Sequence, residues 1–339
     1  MTNHKTVLTG VKPTGMPHLG NYLGAIRPAL DLAAKNPGGF LFIADYHALN
    51  AVHDGPTLRR DSYEVAACWL ALGLDPDKTC VYRQSDIPEI FELTTALCAV
   101  TPKGLMDRSH AYKASVDKNK AEGHDADLNV NMGLYTYPIL MAADILSMRA
   151  DIVPVGYDQT QHIEFARDIA GYFNNAFKSS ALKLPDGLVQ PASDTIPGLD
   201  GRKMSKSYNN HIPLFTDPKT RQKLVMKIIT DSKLPHEPKD PDSNTIYKLY
   251  RLFATADQVK AMADAMQGGK IGYGDAKKLL AEALDKALAE PQAKYQELMS
   301  DTAKIDAILA KGAEKARRVA RKTLSDVREA CGLRHIDFC

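Results

Sequence analysis

The residue types best suited to chemistry in this chain form two short runs, Pro17-His18-Leu19-Gly20-Asn21 and Lys203-Met204-Ser205-Lys206-Ser207. The first offers an imidazole, a glycine and a primary amide side by side. The second sets two ammonium groups in a loop rich in Gly and Asp. Imidazole, backbone N–H groups at a helix start and mobile cations together suit a phosphate-bearing substrate. Each run has a plainer reading when taken alone. His18 can simply cap a helix, Gly20 can permit close packing, and a basic loop is ordinarily a solvated surface. The pair gains meaning from position, because the runs fall at the two ends of one predicted sheet unit.

The elements that must position these runs follow from the apolar pattern. Lys5 to Val11 reads as a strand, broken at Pro13-Thr14-Gly15 and again at Met16-Pro17. Leu19 to Leu32 has helical spacing, and Gly39 to Ala44 is a short, fully apolar run, as in a strand buried on both faces. Strand, turn, helix and buried strand open an α/β fold with a doubly wound parallel sheet. Thr57 to Gly73 continues as helix and Cys80-Val81-Tyr82 as strand. Polar Lys103 to Asn131 reads as partly mobile surface. Leu134 to Met148 is helical, Asp151 to Val155 a strand, and Gln159 to Phe173 a helix. Ser179 to Asp200 reads as loop.

After His211-Ile212-Pro213 the pattern changes. Lys223 to Thr230, Ile246 to Ala254, Asp257 to Gln267 and Asp275 to Met299 are all helical, so a separate all-α unit is expected over 213–300. From Asp301 a short helix and a basic amphipathic one lead to Gly332, expected to pack back on the sheet unit at 1–212. Trp69, Leu70 and Leu72 are most simply core.

Composition excludes several classes. Net charge is +2, from 43 basic and 41 acidic residues, so RNA contact would need local patches rather than a general field. Lys311, Lys315, Arg317, Arg318, Arg321 and Lys322 make one such patch, but a solvated face packed back on the sheet explains it equally well. No apolar stretch approaches the ~20 residues of a membrane span, and the first residues lack the form of a signal peptide. The five cysteines form no CxxC pair and are odd in number, which fits a reducing cytoplasm without disulfides or zinc. No GxGxxG follows the first strand, which disfavours a dinucleotide oxidoreductase.

With these residues in view, the two runs resemble the "HIGH" and "KMSKS" signatures of class I aminoacyl-tRNA synthetases, with His-Leu-Gly-Asn at His18 to Asn21. That resemblance implies a Rossmann-like catalytic domain at 1–212 with a connecting insert at about 51–134, and an anticodon-binding helical domain at 213–300. It implies ATP with Mg²⁺ as substrate, and His18, Asn21, Lys203 and Lys206 as the catalytic groups. It places Lys12, Pro13, Thr14, Gly20, Gly156, Tyr157, Asp158, Met204, Ser205 and Ser207 around the nucleotide.

Tyr137-Pro138-Ile139-Leu140-Met141-Ala142-Ala143-Asp144 is similar to the amino-acid pocket helix of tryptophanyl-tRNA synthetases, and Asp151 to Gln159 with Gln161-His162-Ile163-Glu164 extends the likeness. By resemblance Asp144 accepts the indole N–H, Met141 with Val153 or Val155 lines the ring, and Tyr137 and Gln159 hold the ammonium group. Leu8, Gly10 and His47 complete that pocket. From the residues alone, Asp144 would sooner pair with an arginine or cap a helix, since an unpartnered buried carboxylate is costly.

The likeness covers nearly the whole chain, including Asp45-Tyr46-His47, Arg167-Asp168-Ile169-Ala170 and Gly312-Ala313-Glu314-Lys315-Ala316. It implies tRNA(Trp) and L-tryptophan as partners and a homodimer joined through the insert. Tyrosine-specific relatives typically carry Gln where Met141 stands. A catalytically silent paralogue is the other alternative. Lys12 stands where many relatives have Gln, and Lys113, Lys118 and Lys120 are equal candidates for the insert's ATP contact. Cys331 and Cys339 cannot supply the four thiolates of an iron–sulfur cluster, so none is expected.

Overall fold

The computed structural model describes residues 5–155, 160–189 and 195–334. Strands β1 (Leu8–Val11), β2 (Phe40–Ile43) and β3 (Cys80–Arg83) pair in parallel, with Leu8 opposite Phe40 and Phe40 opposite Cys80. Strands β4 (Ile152–Val155) and β5 (Asp186–Val189) form a second parallel pair. A parallel bridge between Val7 and Ile152 joins the pairs. Around it, the N–H groups of Asp151 and Ile152 donate to the Thr6 carbonyl at 2.8 and 3.0 Å. The strand order is therefore 3-2-1-4-5. The chain reverses direction of winding between β1 and β4, and ligands of such sheets bind at the carboxyl ends of those strands.

The sheet's alternation divides its side chains between two cores. Leu41, Ile43 and Val81 face one with α4 (Gly55–Ala71), where Trp69 is 1% exposed. Leu8, Phe40, Phe42, Tyr82, Val153 and Val155 face the other with α5 (Glu89–Cys98), α8 (Met132–Ser147) and α9 (Thr160–Ala176). Burial on both faces explains the unbroken apolar run in β2.

The later helices are α10 (Pro218–Met226), α11 (Thr245–Tyr250), α12 (Ala256–Gln267) and α13 (Tyr273–Ser300). Their core is not separate. Leu280, Leu284 and Leu288 of α13 belong to the same apolar cluster as Val65 and Trp69 of α4. Among the described residues no helix is long and apolar enough to cross a membrane.

Three further sequence expectations need correction. The polar stretch after Lys103 contains two helices, α6 (Lys103–Met106) and α7 (His110–Ala121). Ser109 caps α7, and the Asn119 amide donates to the carbonyls of Ala126 and Leu128 at 3.0 and 2.8 Å, so polar bonds replace an apolar face. The Pro/Gly/Asp-rich segment after Ser179 contains β5. The side chain of Asn174 holds the Leu182 backbone from both sides, at 2.7 and 3.1 Å, and steers that segment onto β4.

The last segment is one continuous helix, α14 (Thr302–Cys331), rather than two. A Cβ on Gly312 would overlap the Val81 carbonyl, so glycine lets α14 lie directly on β3. Part of its basic row is spent on the sheet unit. Lys311 reaches Asp77 at 2.8 Å, Arg317 and Arg321 share the buried Glu89 at 2.9 and 3.0 Å, and Arg328 pairs with Glu92.

Candidate active site

The first run follows the end of β1. His18 caps α1 (Leu19–Asn21): its Nδ1 accepts the Asn21 N–H at 3.2 Å, and its own N–H donates to Asn21 Oδ1 at 3.2 Å. His18 is 6% exposed. Burial, with His211 and Lys206 nearby, lowers its pKa to about 4. The ring is therefore neutral near pH 7. Because Nδ1 accepts, the proton sits on Nε2, and the free side of the ring is a donor. The helix widens into a π-turn at Tyr22–Ile26 before α2 (Arg27–Lys35).

The second run lies directly against the first. The Leu19 N–H donates to the Ile212 carbonyl at 3.0 Å and the Leu214 N–H to the Pro17 carbonyl at 2.8 Å. Met204 is 3% exposed, and its sulfur takes the Gly20 N–H at 3.3 Å. A Cβ on Gly20 would stand 3.0 Å from the His18 ring and 3.2 Å from Met204 Cβ. Gly20 thus makes room for these two side chains, the close packing that its sequence position allowed, with partners the sequence does not reveal.

Lys206 Nζ donates to the Thr14 carbonyl at 2.7 Å, above the turn where Gly15 has φ +78°. Burial lowers its pKa, opposed by Asp61 and Glu64. Ser205 caps the short turn through the Ser207 N–H, and Asn210 ties Ser205 to Asp200 and to the Lys203 carbonyl. Lys203 is exposed. Pro13 is buried, whereas Lys12 and Thr14 are exposed. Protein packed around Lys12 lowers its pKa.

On the other side of the sheet's reversal, α8 presents Tyr137, Met141 and Asp144. Asp144 is 1% exposed. Its carboxylate is not waiting for a partner, nor does it meet an arginine. His47, in α3 (Asp45–Ala48), donates from Nε2 at 3.0 Å, and Gln84 donates from Nε2 to both oxygens at 2.9 Å. Burial raises the Asp144 pKa, and the bonds from His47 and Gln84 oppose that rise.

Gln84 is fully buried just after β3, and its Oε1 accepts the N–H groups of Tyr46 and His47 at 3.1 and 3.4 Å. Sequence reasoning missed it. Its neighbours in the chain carry no motif, and only the pairing of β3 with β2 brings it beside Asp144.

Leu8, Val153 and Val155 are buried on β1 and β4, and Met141 is half-buried one helical turn before Asp144. The Phe42 ring occupies the space that a Cβ on Gly10 would need. The Tyr137 hydroxyl lies 3.1 Å from His162 Nε2, and burial raises the Tyr137 pKa. Gly156, Tyr157, Asp158 and Gln159 lie outside the described residues. Lys113, Lys118 and Lys120 are all exposed on α7, whose first N–H, from His110, donates to Gln161 of α9 at 3.0 Å.

The arrangement thus sets a basic, donor-rich pair of loops at the end of β1, and a buried carboxylate on α8, whose apolar residues share one core with Leu8, Val153 and Val155. A family model described as "tRNA synthetases class I (W and Y)" matches residues 1–289. The tryptophan–tRNA ligase of Neisseria meningitidis is 51% identical over 333 residues, which cover 97% of this chain and 98% of that protein. The chain belongs to the class I tryptophanyl-tRNA synthetases.

Within this family, the ligase of Pseudomonas putida is also 51% identical, over 97% of this chain and 74% of its own length. The crystal structure of the Campylobacter jejuni tryptophanyl-tRNA synthetase, complexed with ADP and tryptophan, superposes with a TM-score of 0.89 at 41% identity, covering 97% of this chain and all of that one. The tyrosyl-tRNA synthetase of Archaeoglobus fulgidus, at 20% identity and a TM-score of 0.61, shares the fold alone.

Proposed function

We infer that this enzyme activates L-tryptophan with ATP and transfers the tryptophanyl group to the 3′ end of tRNA(Trp). The observation that carries this reading is the buried Asp144 carboxylate, set among Met141, Leu8, Val153 and Val155 beside a mouth lined by His18 and Lys206. An apolar wall suits a large aromatic ring, and a held carboxylate suits its single polar edge, the indole N–H. The ADP and tryptophan held by the Campylobacter relative support the same pairing of substrates.

In the first step a tryptophan carboxylate oxygen forms a bond to the α-phosphorus of Mg·ATP. The bond from that phosphorus to the bridging oxygen breaks, and pyrophosphate leaves with the electron pair. Mg²⁺ comes with the nucleotide and shields its phosphates. The protein's part is positioning and charge stabilisation. In this reading His18 donates from Nε2 to a phosphate oxygen, and the α1 N-terminus adds backbone dipole. Lys203 and Lys206 follow the charge that develops on pyrophosphate. Lys12 stands as a point charge between carboxylate and α-phosphate. Tyr137 and Gln159 receive the substrate ammonium group. In the second step a hydroxyl of the terminal ribose attacks the acyl carbon, and AMP leaves.

The helical unit at 213–300 is proposed to bind the anticodon. A homodimer is proposed through the region around 51–134, supported by the exposed apolar side chains Leu49, Phe91, Leu128 and Met132 there and at its edges. The test of function is ATP–pyrophosphate exchange with each of the twenty amino acids, followed by charging of tRNA. Tryptophan is expected to support both. Exchange with tyrosine instead would replace this reading by the tyrosine one, and no exchange at all would favour a silent paralogue.

A further inference from the structure

His211 lies just beyond the KMSKS-like run, and nothing in the sequence motifs assigns it a role. Its position is fixed from both sides. His18 and Pro213 form an antiparallel bridge, and the Leu19 N–H holds the Ile212 carbonyl at 3.0 Å. These bonds bring the His211 and His18 rings to 5.9 Å between centroids, tilted by 50°. The His211 Nδ1 is buried, and among the described residues it finds no hydrogen-bond partner.

A buried ring nitrogen without a partner is costly unless a ligand fills the place. The neighbours point to an anion. Lys206 is close enough to both rings to hold down the pKa of each, after burial in the case of His211 and after burial and His211 itself in the case of His18. Both rings are therefore neutral donors beside one ammonium group. Asn21 cannot offer its side-chain oxygen or its backbone N–H elsewhere, because both are used in the capping box with His18. The donors gathered here are the His18 and His211 rings and Lys206, whose Nζ also donates to the Thr14 carbonyl at 2.7 Å.

We propose that His211 is a further nucleotide-binding residue, donating from Nδ1 to an ATP phosphate oxygen beside the Nε2–H of His18. The inference rests on the adenylation reading, since ATP is the anion it invokes. A neutral imidazole pair is a useful complement to the lysines. It binds phosphate directionally without adding permanent charge that would also hold the departing pyrophosphate.

The test compares His211→Ala, His211→Asn and His211→Gln. An asparagine amide nitrogen reaches the place of Nδ1, whereas a glutamine amide reaches the place of Nε2. ATP binding is measured calorimetrically without amino acid, which keeps the outcome separate from the amino-acid specificity of the enzyme. Loss of one bond to a charged group predicts ATP affinity lower by roughly tenfold or more in His211→Ala. His211→Asn should recover most of it and His211→Gln should not, while tryptophan affinity stays at the wild-type value in all three. ATP affinity within twofold of wild type in His211→Ala would overturn the proposal. So would equal recovery by Gln and Asn, or a matching loss of tryptophan affinity, which would mark a packing role.

Discussion

The two halves of the cleft are built differently. On the proposed amino-acid side, Asp144, His47 and Gln84 close a buried network in which each group already has a protein partner. On the proposed nucleotide side, Lys12 and Lys203 are exposed, and His211 Nδ1 is buried without a partner among the described residues. Lys206 donates to a backbone carbonyl at 2.7 Å, near Asp61 and Glu64, a bond that a phosphate can replace. The contrast follows from what each half must do. Selecting one side chain needs groups fixed before the substrate arrives, because only an acceptor already held in place discriminates a correctly placed donor from a misplaced one. Stabilising a charge that appears and departs needs cations that can move with it.

The sharpest way to break this comparison is at Lys206. Lys206→Ala should slow adenylation by ~10²-fold or more, in line with removal of other charge-stabilising groups in a transition state. Single-turnover formation of the adenylate reads this directly, and a rate within a few-fold of wild type would remove Lys206 from the chemistry. On the opposite side, Asp144→Ala should lower kcat/KM for tryptophan by on the order of 10²-fold, through loss of a charged hydrogen bond, with the ATP KM little changed. Tryptophan kinetics that survive the substitution would show that the carboxylate only braces His47.

A smaller effect distinguishes a network from a single contact. Gln84→Met keeps the volume but strands the N–H group of His47, leaves the Tyr46 N–H with Asp45 alone, and leaves Asp144 with one donor fewer. We expect tryptophan affinity to fall ~10-fold, the scale of a buried bond to a charged group, with no change for ATP. An equal loss for both ligands would indicate general loosening. The smallest effect is expected at Lys12, which is exposed and among the described residues bonded to no side chain. Lys12→Gln keeps a donor but removes the point charge, so the ATP KM should rise by roughly threefold to tenfold, the scale of a partly screened ionic contact. An unchanged ATP KM would show that Lys12 serves only the solvent side of the strand end.

Legibility of the sequence followed the same division. The mouth could be read because its groups are contiguous: His18 to Asn21 and Lys203 to Ser207 are runs, and the structure lays one against the other through Gly20 and Met204. The amino-acid side could be read only in part. Asp144 stands out after its apolar stretch, but its partners come from α3 and from the turn after β3, so Gln84 gave no local signal. Elements showed the same dependence. β2 was plain because burial on both faces makes it wholly apolar. β5 was not, because Asp186-Gly187 has turn composition and the strand is imposed by β4 and Asn174. The helix α7 was hidden because capping and side-chain bonds, rather than an apolar stripe, hold it.

The claim that one half is assembled in advance and the other completed by its substrate is tested most directly by equilibrium titration of L-tryptophan without ATP. The titration is run on wild type, Asp144→Ala and Lys206→Ala. The account predicts that wild type and Lys206→Ala bind tryptophan with the same affinity and that Asp144→Ala binds it at least ~10-fold more weakly. A loss in Lys206→Ala equal to that in Asp144→Ala would contradict it, because the two halves would then form a single unit that neither substrate finds ready.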